Sequence, residues 1–458
     1  MLFRLLIATV VLAPLPFASV YPWSGALMAI AVGALLVAWS SLLALGKTRL
    51  SFGLRSTWLF LLLFLIPILW AVLQSSSATP LAWHHPLWQS AASTLGQGSS
   101  GSVSLDADNT IFSMMRLLAY GGIFWLALQY GRDPGRARQV FFAVAMAGLV
   151  YSFYGLFIEF SGAQMILWYD KFAYKTDLTS TFVNRNSYAT YAGLTLLCLS
   201  SLILNVITKL KDSGTMRHQL LQIMEAMEAM EAMTAKNCLL IVGWITVTMA
   251  LISTHSRAGV MSTGLGVVAL VMVMGLSRGL RARTALYLVA AVVLAGGVFL
   301  AVGGGKLDER LAATSAGSEE RPAVYELTMD AVKAEPFLGT GYGSFEEVFR
   351  LYRNDGVTNF FLKAHNTYLE NALELGIPAA LALFGAFVAM LVLTFVGLTR
   401  RQHSVIYPCT GFAATVLVAA HSSVDFSLQI PAVAATYALI MGVACAQSWS
   451  GQKRRDTW

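Results

Sequence analysis

Charged residues are scarce in this sequence. Only 12% of its 458 residues are Asp, Glu, Lys or Arg, and 57% are hydrophobic, whereas soluble domains carry about 25% charged residues. This composition excludes a soluble globular enzyme. The net charge of +7 is not evidence for a nucleic-acid partner, because proteins with many membrane spans carry excess Lys and Arg for topological reasons. We therefore expect membrane lipids, and no nucleic acid, around the chain.

Cysteine is also rare, and several familiar catalytic motifs are missing. The four cysteines lie in apolar stretches without CxxC spacing, which argues against a disulfide framework and a zinc site. The sequence has no G-x-S-x-G or H-E-x-x-H motif. Acidic residues in the segments predicted to face outward are sparse and scattered, so we expect no tightly held metal and no cofactor.

Long apolar stretches dominate what is present. A window of about 19 residues finds twelve of them, which predicts an all-α polytopic membrane protein with about twelve transmembrane helices. They are centred near residues 12, 34, 65, 120, 150, 197, 246, 267, 293, 387, 414 and 437. A cleaved signal peptide is the alternative interpretation of the first stretch, because a short apolar run follows Arg4 and small residues follow the run.

The distribution of positive charge predicts the orientation. With the N-terminus inside the cell, most of the 31 Lys and Arg residues, and nearly all of those in short loops, face inward, as the positive-inside rule requires. The predicted organisation is a membrane domain at 1–302 with spans one to nine, a large outward loop at 303–366, and spans ten to twelve at 367–458.

The large outward loop contains one strong helix pattern. Acidic residues and Pro322 come early in the run that begins at Ser318, and Val324, Leu327, Ala331 and Val332 follow at helical spacing. This pattern predicts an amphipathic helix that begins near Ser318 and lies on the membrane. Arg321 in its first turn would then favour an anion, although pairing with Glu319 or Glu320 is the alternative.

Two further arginines lie at the predicted outer ends of spans. Arg257 follows His255 in the short turn STHSRAG between spans seven and eight, and Arg185 lies between Asn184 and Asn186 just before span six. Arginines near the membrane surface often only snorkel to the headgroups. The positive-inside rule disfavours an outward arginine, so we predict a catalytic role for Arg257 and substrate binding by its neighbour His255 and by Arg185, Asn184 and Asn186.

A histidine and one more arginine complete the candidate residues. His365 and Asn366 begin the helix that leads into span ten, with Asn366 as the predicted N-cap. A histidine with an ordinary pKa near 6.5 is suited to accept a proton from a hydroxyl group. Arg116 lies within the fourth span, where a charge is costly and usually functional, and we predict that Arg116 and Asn366 bind substrate. Near span eleven, His421 and Asp425 either line the same cavity or pair with each other.

These residue types together indicate one kind of chemistry. Guanidinium groups bind phosphate and pyrophosphate oxygens in bidentate fashion, and a nearby histidine is suited to activate an acceptor hydroxyl. This combination predicts glycosyl transfer from a lipid pyrophosphate, with arginines in place of a metal at the leaving group.

At these positions the sequence resembles the O-antigen ligase and polymerase superfamily. The resemblance rests on the STHSRAG turn, on the Arg321 segment that continues into EPFLGTGYGSF, and on HNTYLENALELG. It covers roughly residues 180–380, and Ala379 departs from the family pattern. It implies a GT-C-like fold in the bacterial inner membrane, with a periplasmic loop between spans nine and ten. It also implies that Arg257 and Arg321 bind undecaprenyl pyrophosphate, that His365 is the base, and that transfer is inverting and metal-independent.

Several alternatives remain open at this stage. A ligase joins the glycan to lipid A-core, whereas a polymerase joins it to a second lipid-linked glycan, and both need the same arginines and base. A polyisoprenyl-lipid flippase or an anion transporter is a more distant alternative, for which internal repeats or charges at the midplane would be typical.

Overall fold

Helices dominate the computed structural model of the chain, which describes residues 1–96, 98, 100–212, 223–278, 307–400 and 405–449, without the side chains of 207–237 and 278–319. The apolar stretch predicted near residue 293 lies outside the described residues. The helices are α1 (Leu2–Leu12), α2 (Pro22–Ala44), α3 (Leu54–Gln74), α4 (Pro86–Leu95), α5 (Ala107–Tyr130), α6 (Pro134–Phe160), α7 (Arg185–Asp212), α8 (Ile223–Ser253), α9 (Arg257–Arg278), α10 (Leu307–Ala334), α11 (Phe345–Tyr352), α12 (Thr367–Arg400), α13 (Ile406–Ser422) and α14 (Pro431–Ala446).

Seven of the described helices are long and apolar enough to cross a membrane, and four shorter apolar segments accompany them. The predicted stretches other than the one near 293 each coincide with one of these helices. Local signals fix several of the starts. At α6, for example, Asp133 accepts a hydrogen bond from the amide of Arg136 at 2.8 Å and Pro134 occupies the first helical position. The prediction of a mostly helical membrane protein is thus confirmed.

The helix α14 is at the centre of the main core. Every one of its residues is buried, and it packs against α5 with further contacts to α6, α7, α12 and α13. Its sequence is rich in alanine, with Gly442 at the contact with α5. Small residues let helix backbones approach closely, which is the main source of association between helices in a membrane.

The apolar face of α10 is covered by protein. Val324, Ala331 and Val332 are buried in a small separate core with Phe345 and Val348 of α11. The prediction that this face lies on the membrane is therefore wrong. The short α11 supplies the apolar partner that the sequence pattern alone did not reveal.

The start of α10 also differs from the prediction. The helix begins at Leu307 and continues through Pro322, so Arg321 lies in its interior and no helix N-terminus is presented beside it. Proline lacks an amide hydrogen and was expected in the first turn. The interior proline costs one backbone hydrogen bond, and the helix continues on both sides of it.

A break at Gly376 divides α12 and fixes the loop that follows α10. Gly376 has φ 74° and ψ 156°, and a Cβ there would lie 2.3 Å from the carbonyl oxygen of Phe337. Only glycine fits both the positive φ and this close approach. Gln74 reinforces the contact, because its Nε2 donates to the carbonyl oxygens of Leu338 and Glu374, both at 2.8 Å. At the break in α12, the backbone of this helix therefore contacts both α3 and the loop after α10.

Candidate active site

His365 is held in a defined orientation just before α12. Its backbone has φ 53°, and its carbonyl oxygen accepts a hydrogen bond from the Tyr325 hydroxyl of α10 at 2.9 Å. Its ring packs edge-on against Phe426 and Phe361, with centroids 4.9 and 5.9 Å away. The side chain is 17% exposed. The imidazole is thus enclosed by aromatic rings and still accessible to a ligand.

The buried carboxylate of Asp425 faces this imidazole. Its Oδ2 lies 3.6 Å from His365 Nδ1, slightly beyond hydrogen-bond distance. Burial alone would raise the pKa of Asp425, but His365, His421 and the Ser427 hydroxyl together hold it below its ordinary value. The carboxylate is therefore ionised at neutral pH. Its charge favours the imidazole tautomer of His365 that has the proton on Nδ1 and the lone pair on Nε2.

Asn186 connects this pair to the membrane helices. Its Nδ2 donates to Asp425 Oδ2 at 2.7 Å, and its Oδ1 accepts from the Ser256 hydroxyl at 2.8 Å. The carbonyl oxygen of Asp425 in turn accepts from Thr367 of α12 at 3.0 Å. One buried charge thus links α7, α9, α12 and the segment after α13. Both ends of the Asn186 amide bind protein atoms.

A second carboxylate, Asp177, binds the start of α7 and the turn before α9. Arg185 NH1 donates to its Oδ2 at 2.7 Å and His255 Nδ1 lies 2.9 Å from its Oδ1. Burial would raise the pKa of Asp177, but the hydrogen bond with His255 and the charge of Arg185 outweigh this effect and lower it. The Arg185 guanidinium also lies over the Tyr174 ring, 5.4 Å from its centroid. The charge of Arg185 is thus already paired within the protein.

Arg257 and Arg321 differ from Arg185 in this respect. Among the residues that the structure describes, neither guanidinium forms a hydrogen bond or an ion pair. Arg257 is exposed and directly follows Ser256. Arg321 lies one helical turn before Tyr325, which binds the His365 carbonyl. In the described part of the chain, both positive charges thus have no protein partner. The side chain of Glu319, the other predicted alternative partner of Arg321, lies outside that part.

Glu320 does not neutralise its neighbour Arg321. Its two carboxylate oxygens accept hydrogen bonds from the amides and side chains of Thr358 and Asn359 at 2.5 to 3.2 Å. The hydrogen bond from the Thr358 hydroxyl is the largest cause that lowers the pKa of Glu320 to about 2. Glu320 instead connects α10 to the loop that follows α11 through these hydrogen bonds.

The two remaining asparagines of the predicted site cap helices. Asn366 Oδ1 accepts from the amides of Tyr368 and Leu369, both at 3.1 Å, so the predicted N-cap of α12 is confirmed. Asn184 Oδ1 accepts from the amides of Asn186 and Ser187 at the start of α7, at 2.7 and 3.4 Å. These side chains fix the starts of the helices that carry the site.

Arg116 lies apart from this group. It donates to the Val20 carbonyl oxygen at 2.9 Å and stacks on Phe112 within α5. His421 binds Thr190 through Nδ1 at 2.5 Å, so Asp425 pairs with His365 rather than with His421. Within the described part of the chain, no cluster of His, Cys, Asp and Glu is arranged to hold a metal ion.

Sequence reasoning missed the two carboxylates as partners. Asp177 and Asp425 are far along the chain from His255 and His365, and nothing in their spacing indicates that they meet. A usable signal was present at Asp425, because an acidic residue between two apolar helices must find a partner when it is buried.

One comparison with known proteins matches this region. Residues 242–384 match the family model described as O-Antigen ligase, and the range contains Arg257, Arg321 and His365 but not Asp425. The comparison with curated proteins gives no match. The family match agrees with the resemblance at the STHSRAG and HNTYLENALELG segments. Over residues 242–384, the chain is therefore similar to the O-antigen ligase family.

Proposed function

We propose that this protein transfers a glycan from undecaprenyl pyrophosphate to an acceptor hydroxyl at the periplasmic face of the bacterial inner membrane. The observation that carries the proposal is one arrangement of charges. A histidine oriented by a buried carboxylate lies in the region where two arginines have no partner among the described side chains. The family match over residues 242–384 supports the same class of reaction.

His365 supplies the base in this proposal. The acceptor oxygen attacks the anomeric carbon of the donor sugar while the bond from that carbon to the pyrophosphate oxygen breaks. His365 Nε2 takes the proton of the acceptor hydroxyl, and Asp425 stabilises the resulting imidazolium across the 3.6 Å separation from Nδ1. Attack from the side opposite the pyrophosphate inverts the configuration at the sugar.

Arg257 and Arg321 hold the pyrophosphate. The leaving group gains negative charge as its bond to the sugar breaks, and two guanidinium groups that no described carboxylate pairs with stabilise that charge. This arrangement performs the role of a divalent metal, so the proposed transfer is metal-independent. The paired or capping residues Arg185, His255, Asn184, Asn186 and Asn366 act here by positioning the helices and loops that present these groups.

The acceptor distinguishes a ligase from a polymerase. A ligase uses lipid A-core, and a polymerase uses a glycan on a second lipid carrier. The proposal includes a GT-C-like fold with about twelve spans and places α10 and α11 on the periplasmic side. The site residues described above serve both acceptors equally.

The arginine pair gives the first prediction. Arg257→Lys and Arg321→Lys should each lower the transfer rate about 10²–10³-fold, because lysine keeps the charge but lacks the planar guanidinium fork. The matched control is Arg350→Lys in α11, an exposed arginine that pairs with Glu346 and should leave the rate unchanged. The measurement is transfer from undecaprenyl pyrophosphate glycan by purified protein. Near-normal rates in both variants would remove the arginines from the proposal.

The histidine gives the second prediction. His365→Ala should lower transfer by about 10²–10⁴-fold, the usual contribution of a positioned base, while binding of undecaprenyl pyrophosphate remains. His84→Ala is the control. The His84 ring forms a hydrogen bond with the Thr79 carbonyl oxygen at 2.9 Å in the loop before α4, so this variant should be as active as the wild type. Both assays are run with EDTA. Transfer within about threefold of the wild type by His365→Ala, or loss of wild-type transfer in EDTA, would contradict the mechanism.

The third prediction concerns orientation. In a Cys238→Ser background, Asp170→Cys and Asp355→Cys should react with a membrane-impermeant maleimide from the periplasmic side. Lys47→Cys and Gly135→Cys should react only after the membrane is opened. All four positions are exposed at the surface of the protein, so only the membrane separates them. The reverse pattern would place the site in the cytoplasm and rule out a periplasmic transferase.

A further inference from the structure

A large apolar cavity extends from the candidate site into the helix bundle. Its volume is about 860 Å³, within the range of about 300–1,000 Å³ typical of ligand pockets. Aromatic and aliphatic side chains of α3, α5 and α12 form a large part of its wall, among them Phe60, Phe64, Leu117, Leu383 and Phe384. A hydrocarbon chain is the ligand that such a wall fits.

Arg116 places a positive charge in this apolar wall, which Lys363 and Glu374 also line. Arg116 lines the cavity about 14 Å along α5 from the start of the helix, at a rise of about 1.5 Å per residue. Its protein contacts are the Val20 carbonyl oxygen and the Phe112 ring. Its Nε is buried without a partner, and no described carboxylate lies within ion-pair distance of its guanidinium. A cation in an apolar wall is unfavourable unless an anion joins it.

The carboxylates near this wall are already engaged. Glu370 binds Lys363 Nζ at 2.8 Å and the amide of Ala364 at 2.9 Å, and Glu374 accepts from the amide of Phe345 at 3.1 Å. Among the described residues, neither carboxylate therefore forms an ion pair with Arg116.

Three other buried polar atoms in the lining also have no partner among the described residues. They are the Tyr120 hydroxyl, Ser187 Oγ and Asn371 Oδ1. The Tyr120 hydroxyl and Arg116 Nε are donors that a ligand with several oxygens would satisfy, as a phosphate does. These side chains and the apolar wall together form a pocket that suits an anionic lipid.

We propose that this cavity binds a second polyisoprenyl phosphate or pyrophosphate lipid, with its phosphate on Arg116. This inference rests on the proposed function and deepens it, because it assigns the acceptor to the same lipid class as the donor. The cavity reaches the candidate site, since Thr367 and Phe426 line it. Thr367 binds the Asp425 carbonyl oxygen and the Phe426 ring contacts His365. A glycan carried by the second lipid would therefore reach the base.

The tail of the donor is a poorer occupant. A hydrocarbon chain alone would exclude water from Arg116 and leave its charge buried without a counter-ion. A phosphate on Arg116 removes this cost, and the same lipid chain fills the apolar wall. The pairing of charge and wall thus favours a lipid with its own phosphate in this cavity.

The test counts bound lipids on the purified full-length protein by native mass spectrometry, with undecaprenyl phosphate as the probe. The wild type should bind two lipids. Arg116→Gln should bind one, with the affinity for the second lower by about tenfold or more, as loss of a charged hydrogen bond implies. The double variant Arg257→Gln/Arg321→Gln should also bind one. Uncharged undecaprenol should not occupy the Arg116 site.

Two controls keep the result specific. Arg132→Gln removes a comparable arginine, which donates to the Ser51 carbonyl oxygen and stacks on Phe52 away from the cavity, and it should still bind two lipids. Ala386→Phe narrows the cavity without changing Arg116 and should bind one, so the test does not depend on the folding of Arg116→Gln. Excess phosphatidylglycerol should not displace the second lipid.

The outcomes separate the two proposals. Two lipids on both Arg116→Gln and Ala386→Phe, or displacement by phosphatidylglycerol, would overturn the cavity assignment. If the wild type binds one lipid and only Arg257→Gln/Arg321→Gln loses it, the cavity assignment is overturned and the proposed donor site stands. If the wild type binds one lipid and only Arg116→Gln loses it, the cavity assignment is supported and the proposed donor site is contradicted.

Discussion

The buried carboxylate of Asp425 is the constraint on which the site depends. A charge without solvent must be compensated, or it costs several kcal/mol. Asp425 obtains its partners from separate parts of the chain, since His365 precedes α12, Asn186 begins α7 and Ser427 follows α13. Compensation of this charge therefore holds the extramembrane loop and the helix bundle together. The site exists only when the whole arrangement is folded.

The charges of the site divide into fixed and free groups. Asp177 fixes Arg185 and His255, and Glu320 fixes the loop at Thr358. Because these acids are engaged, they leave Arg257 and Arg321 without partners in the described structure. Charged groups that are already oriented pay little reorganisation free energy when negative charge develops at a leaving group. In our account, the acidic residues thus contribute by holding the frame and by leaving the two cations unpaired.

The sequence predicted the large-scale pattern well and the pairing poorly. Apolar stretches indicated the helices because length and hydropathy are local properties, and Asn366 was recognised as a cap for the same reason. The predicted start of α10 was wrong because the helix continues through Pro322. The predicted membrane contact of its apolar face was wrong because that face packs against α11. The partnership of His365 with Asp425 depends on how α12 and α13 pack, which no local pattern records.

The most direct test of this account is a double-mutant cycle on Asp425 and His365. If the carboxylate acts by orienting the imidazole, Asp425→Asn should slow transfer strongly in the wild-type background and should cost almost nothing in the His365→Ala background. The measurement is the transfer rate of the four purified proteins at saturating donor. A double variant no slower than His365→Ala is the predicted result, and two losses that multiply would contradict the account.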